Sequence, residues 1–71
     1  MSYLEYSDKY NDVIYEYRLV TLPSRKRNLI EPGELLSEEE VKDLGIRQSP
    51  EWEHFAIFEK EPYVLIFRRK L

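Results

Sequence analysis

Seventy-one residues hold one domain at most, with a core that removes only about 60% of the unfolded surface from water. No cysteine is present, which excludes disulfide staples, thiolate chemistry and cysteine-based zinc sites, so six tyrosines, three phenylalanines and one tryptophan must supply much of the core. A net charge of −3 argues against a generic nucleic-acid binder. With no signal peptide and no membrane-spanning apolar run, the expectation is a soluble intracellular protein.

In chain order, Tyr3 to Ser7 reads as a short first strand, and Ser7, Asp8, Asn11 and Asp12 as turn residues. Tyr15 to Leu22 is a second strand, rich in aromatic and β-branched residues. Alternation puts Tyr15, Tyr17, Leu19 and Thr21 on one face and Glu16, Arg18, Val20 and Leu22 on the other. Pro23 ends the strand and can open a short helix through about Ile30. Glu31-Pro32-Gly33 breaks it. Ser37 and Glu40 form a capping box, and three glutamates sit in the first turn of a second helix, favoured by its dipole. That helix carries Val41 and Leu44 and stops near Gly45. A turn around Ser49-Pro50 leads to a third strand, Glu53 to Phe58. Glu59-Lys60-Glu61-Pro62, of hairpin length, leads to a fourth, Tyr63 to Arg69. The order predicts an α+β fold in one domain: a four-stranded antiparallel sheet with two short helices on one side.

Charge is unevenly spread. Arg18, Arg25, Lys26 and Arg27 form one basic group and Arg68, Arg69 and Lys70 another, with Glu31, Glu34, Glu38, Glu39, Glu40 and Asp43 between them. The fourth strand buries Val64 to Phe67 and then presents two arginines. The plain reading is a solvated strand end. The sharper one is an anion clamp, because the guanidinium fork binds phosphate oxygens bidentately and Lys9 and Arg18 can converge with it. At this level Arg68 and Arg69 are not distinguished. Trp52 reads either as core or as an indole donor beside Ser49. Glu59 to Pro62 reads as an ordinary loop or as a hinge that can open. Ser49-Pro50 is either a proline-directed phosphorylation site or a serine held in a turn. His54 stands alone and reads as structural. No catalytic set, metal site, cofactor site or glycine-rich phosphate loop is found, so the chain is expected to bind and not to catalyse.

The ordered motifs Tyr6-Ser7-Asp8-Lys9-Tyr10, Tyr15-Glu16-Tyr17-Arg18 with Val20 and Leu22-Pro23, Leu44-Gly45-Ile46, Gln48-Ser49, Trp52 with His54, and Glu61-Pro62 with Leu65 to Arg69 carry a resemblance over nearly all the chain. The chain resembles the cyclin-dependent kinase regulatory subunits, the Cks proteins. The resemblance implies a phosphothreonine pocket falling on Lys9, Arg18, Ser49, Trp52 and Arg69. It also implies a kinase-binding surface on Tyr10, Phe55, Ala56, Ile57, Phe58, Glu59, Glu61 and Tyr63. The protein would be a non-enzymatic adaptor of nucleus and cytoplasm. It would tether a cyclin-dependent kinase, with its cyclin, to phosphothreonine-proline proteins and so promote multisite phosphorylation in the cell cycle, with no nucleic-acid or membrane partner. The hinge is Glu59, Lys60, Glu61 and Pro62. Family members are known for exchanging the strand that follows it. Phe58, Lys60 and Tyr63 replace the family's usual histidine, proline and histidine. With one proline instead of two, a monomer is expected, while a strand-swapped homodimer remains open to the chain. The alternative class is a phospho-independent interaction module or a single-stranded nucleic-acid binder that stacks bases on its aromatic strands.

Overall fold

The computed structural model describes residues 4–31 and 33–71. The α+β class is as expected, but the sheet has five strands. They are β1 (Glu5–Tyr6), β2 (Tyr10–Asn11), β3 (Tyr15–Thr21), β4 (Glu53–Ile57) and β5 (Val64–Lys70). The spatial order is β1-β3-β5-β4, all antiparallel, and β2 pairs with β3 as well.

The extra strand comes from a break in the first lane. Tyr6 pairs with Val20 and Tyr10 with Tyr17, so Ser7, Asp8 and Lys9 face only Arg18 and Leu19. One residue is in excess, and the chain bulges there. Ser7 bridges the gap: its amide donates to the Leu19 carbonyl, and its Oγ accepts from the Leu19 amide at 2.8 Å. The pairing then resumes, so Asn11, expected in a turn, pairs with Glu16. Asp12 alone makes the following turn. Its carboxylate accepts from the Ile14 and Tyr15 amides and from the Tyr17 hydroxyl. These bonds, with Tyr15 foremost, hold its carboxyl below the ordinary value. Tyr3, the expected start of the first strand, lies outside the described residues.

The expected helix after Pro23 is a 3-10 turn, Ser24–Leu29, and Pro23 caps it from outside instead of opening it. The second helix, α1, spans Glu38–Asp43 with both bonds of the Ser37/Glu40 capping box formed. Leu44 is its C-cap, and Gly45 takes φ +85°, which an L side chain rarely adopts.

The face of β3 carrying Val20, with Leu22 beyond it, is covered. Val20, Leu22, Val41, Leu44, Ile46, Trp52, Leu65 and Phe67 form one core there. Val64 is also buried, whereas Ile66, expected inside with its neighbours, is half-buried because alternation turns it to the other side. Between β4 and β5 the chain turns back on itself, with Glu61 N donating to Phe58 O and Val64 N to Glu61 O. The last strand thus completes its own chain's sheet.

Candidate functional site

The antiparallel register sorts the charged strand ends. Glu16 pairs with Arg69, and Arg18 with Phe67, so Arg18 and Arg69 share the face that continues into the core. Tyr17 pairs with Arg68, on the opposite face. Arg68 donates from Nε to Glu53 Oε1 at 2.8 Å and lies over the rings of Tyr15 and Phe55. The two consecutive arginines therefore belong to different surfaces.

On the core side, Trp52 is the hub. The Arg18 Cζ lies 5.1 Å from its ring and the Arg69 Cζ 4.9 Å. Each contact is a cation–π arrangement that fixes a guanidinium while leaving its N–H edges free. Arg69 is also held by Glu16, Nε to Oε1 at 2.6 Å. Ser49 begins the turn that delivers Trp52, whose amide donates to the Ser49 carbonyl at 3.2 Å. The Ser49 Oγ is buried and so is ill placed for a kinase, which leaves the turn reading of Ser49-Pro50 as the better one. Lys9 is exposed in the bulge opposite Arg18 and Leu19 and makes no hydrogen bond or ion pair among the described residues. Trp52 thus contacts both Arg18 and Arg69, Ser49 adjoins them through the turn, and Lys9 lies in the bulge facing Arg18 without a bond to any of them.

Four buried atoms here lack a protein partner among the described residues: Arg18 Nε, Ser49 Oγ, and Gln48 Nε2 and Oε1. Folded proteins leave few such groups, and each costs roughly 1–3 kcal/mol if nothing pairs with it. Three of the four can donate, Arg18 Nε among them, and the Arg69 guanidinium shares the Trp52 ring, so an oxyanion is the ligand whose chemistry matches them. Gln48 was not among the residues expected here. Its signals in the sequence are its place next to Ser49 and the Gln48-Ser49 motif of the resemblance. A cavity of about 30 Å³ lies on the α1 side of this segment, lined by Glu38, Val41, Lys42, Gln48, Ser49, Pro50 and Trp52, and neither arginine lines it.

The second expected surface lies mainly on the open face. Tyr10 is half exposed and meets Tyr17 at 6.3 Å between ring centroids, and Tyr17 meets Phe55 at 5.8 Å. A bulge between His54 and Ala56 interrupts the pairing at Phe55. Ala56 and Ile57 are half-buried on edge strand β4, and Phe58, Glu59 and Glu61 are exposed beyond it. Tyr63 differs: it packs against the core, with the Arg27 Cζ 3.5 Å from its ring centroid. It therefore supports this surface more than it forms it.

His54 is buried, its Nδ1 accepts from the Leu36 amide at 3.0 Å, and its ring lies against Phe67. Burial holds its pKa below the ordinary 6.5. No group of residues able to hold a metal ion occurs among the described residues, and no helix there is long and apolar enough to cross a membrane. A larger cavity of about 380 Å³, lined by Leu29, Ile30, Leu36, Glu40, Asp43 and Leu44, is built from none of the residues expected at either surface.

Residues 4–71 match the family model described as cyclin-dependent kinase regulatory subunit. The chain is 55% identical over 64 residues to a Dictyostelium discoideum cyclin-dependent kinases regulatory subunit, covering 90% of this chain and 78% of that protein. It is 44% identical over 71 residues to regulatory subunit 2 of Arabidopsis thaliana, covering all of this chain and 86% of that one. Against regulatory subunit 2 of Xenopus laevis the identity is 48% over 73 residues, covering all of this chain and 92% of that one.

Proposed function

The chain belongs to the cyclin-dependent kinase regulatory subunit family, and on that premise we propose that it is a non-catalytic adaptor that docks phosphothreonine on the partners of a bound kinase. The observation that carries this reading is the pairing of Arg18 and Arg69 on the Trp52 ring, with unpartnered buried donors on Arg18 and on the Gln48-Ser49 segment that turns into Trp52. Lys9, exposed in the bulge facing Arg18, adds a further positive charge. A phosphate with about −1.5 to −2 charge fits such a group better than a carboxylate does.

The kinase binds at the other surface, through Phe55, Ala56, Ile57 and Phe58 with Tyr10 beside them, rimmed by Glu59 and Glu61. That is an apolar centre with a polar border. Two separate surfaces make a tether. Once a phosphothreonine-proline segment is held, the next encounter with the kinase is intramolecular, at an effective concentration reaching the millimolar range. Multisite phosphorylation becomes more processive by that route. The protein works in nucleus and cytoplasm as a monomer at micromolar concentration, with the hinge from Glu59 to Pro62 closed. Sedimentation at low micromolar concentration tests this, and a stable dimer there contradicts it.

The test of function is a titration with a phosphothreonine-proline peptide, its unphosphorylated twin, and single-stranded RNA. Binding of the first alone supports the reading. Equal binding of the two peptides makes the protein a phospho-independent module, and binding of RNA makes it a nucleic-acid binder.

A further inference from the structure

Arg18 and Arg69 are held in different ways. Arg69 is tied to a carboxylate, Glu16. Arg18 has no hydrogen-bond partner for its buried Nε and no ion pair among the described residues. Two rings hold it instead. Its Cζ is 5.1 Å from the Trp52 ring centroid and 4.7 Å from that of Tyr6. Tyr6 belongs to β1, where it pairs with Val20, and it was not among the residues expected at the anion site.

Tyr6 also reaches the other wall. Its hydroxyl accepts a hydrogen bond from the Arg47 amide at 3.1 Å. Arg47 immediately precedes Gln48 and Ser49, so that bond fixes the ring angle against the segment carrying two more groups of the site. The side chain is 41% exposed and lies outside the main core, so packing alone does not account for its placement.

We infer that Tyr6 is a positioning residue of the anion site, one that orders the Arg18 guanidinium without consuming its donors. The physical argument is one of competition. A carboxylate orders an arginine by occupying N–H groups that a phosphate needs. An aromatic face orders it through the π cloud and leaves every N–H at the edge of the plane. A fork ordered in advance loses less freedom when the ligand arrives. This rests on the phosphothreonine reading above for its consequence, but the ordering of Arg18 by Tyr6 is a property of the free protein and is measurable without ligand.

The experiment uses the whole chain and three variants: Tyr6→Phe, Tyr6→Leu and the milder Tyr6→Met. Arg18 Nε–Hε order parameters from NMR relaxation come first. Wild type and Tyr6→Phe give a rigid Arg18 side chain, whereas Tyr6→Leu and Tyr6→Met give a mobile one while the amide signals of Val20 and Phe67 stay in place. Phosphothreonine-peptide affinity comes second. Tyr6→Phe stays within about twofold of wild type, Tyr6→Leu weakens binding roughly fivefold, and in an Arg18→Ala background Tyr6→Leu adds nothing further. A rigid Arg18 in both folded aliphatic variants overturns the inference. So does a loss of affinity that adds fully to that of Arg18→Ala. If wild type shows no preference for the phosphorylated peptide, the docking reading fails, and the order parameters still decide the role of Tyr6.

Discussion

Glu16 Oε1 accepts a hydrogen bond from Arg69 Nε at 2.6 Å, and the two residues are direct partners across β3 and β5. The carboxylate fixes the guanidinium through its inner nitrogen and leaves the outer N–H groups for a ligand. It also puts a negative charge beside the guanidinium proposed to receive a phosphate. At about 7 Å in water, that repulsion is roughly 0.6 kcal/mol per unit of phosphate charge. Glu16→Gln keeps a carbonyl acceptor for Nε and removes the charge. With about −1.5 to −2 charge on the phosphate, the expected outcome is a phosphopeptide affinity roughly five- to eightfold higher than wild type at low salt, fading as salt rises. Calorimetric titration at two ionic strengths checks it. A large loss of affinity would mean that the charge of Glu16, and not its geometry, keeps Arg69 in place.

Glu61 lies in the turn between β4 and β5, away from the Trp52 cluster. Glu61→Gln is expected to weaken binding to the kinase about fivefold, the scale of one exposed charge pair, with phosphopeptide affinity unchanged. Parallel titrations with kinase and with peptide check this. A fall in both at unchanged melting temperature would show that the two surfaces are coupled.

His54 gives the fold an acid-sensitive point. Its Nδ1 accepts from the Leu36 amide, which requires that nitrogen to be unprotonated, and burial lowers its pKa below 6.5. With a folded value below the unfolded one, the unfolded chain binds more protons. The contribution to stability is complete above 6.5 and is lost as pH falls through the lowered folded value. Glu38 and Glu53 line the neighbouring cavity with His54, and a hydrogen bond with the Ala56 backbone opposes the shift without reversing it. The melting temperature of wild type is expected to fall between about pH 6.5 and 5 more steeply than that of His54→Gln, whose side chain does not titrate there. Thermal melts across that range check it, and parallel slopes would remove His54 from the account.

The residues differ in what alternation and local chemistry could reveal. Arg18 was placed on the face of Val20 and Leu22 by period-two spacing alone, and that is where it lies. The Ser37/Glu40 cap and the stop at Gly45 are likewise local and were readable. Arg68 and Arg69 were not separable, because which faces the indole depends on the pairing of Glu16 with Arg69, a contact 53 residues apart in the chain. The division of the first lane into β1 and β2 turns on the Ser7 side chain replacing a backbone acceptor for Leu19, which no propensity records. Tyr6 escaped notice at the anion site because its contacts are to Arg18 on a neighbouring strand and to Arg47, 41 positions away.

The central claim is that Arg18 and Arg69, both held on the same indole, dock a phosphothreonine. Charge-assisted hydrogen bonds contribute roughly 1.5–3 kcal/mol each, so removing one arginine should weaken the complex by about tenfold or more. Trp52→Ala is the poorer probe, since Trp52 is part of the core and its loss opens a cavity. The direct measurement is calorimetric titration of wild type, Arg18→Ala and Arg69→Ala with a phosphothreonine-proline peptide and its unphosphorylated twin, with kinase binding followed alongside. The account predicts that wild type binds the phosphorylated peptide and not its twin, and that each variant binds the phosphorylated peptide about tenfold or more weakly, with kinase binding retained in all three proteins. Wild-type-like affinity for the phosphopeptide in both folded variants would contradict it.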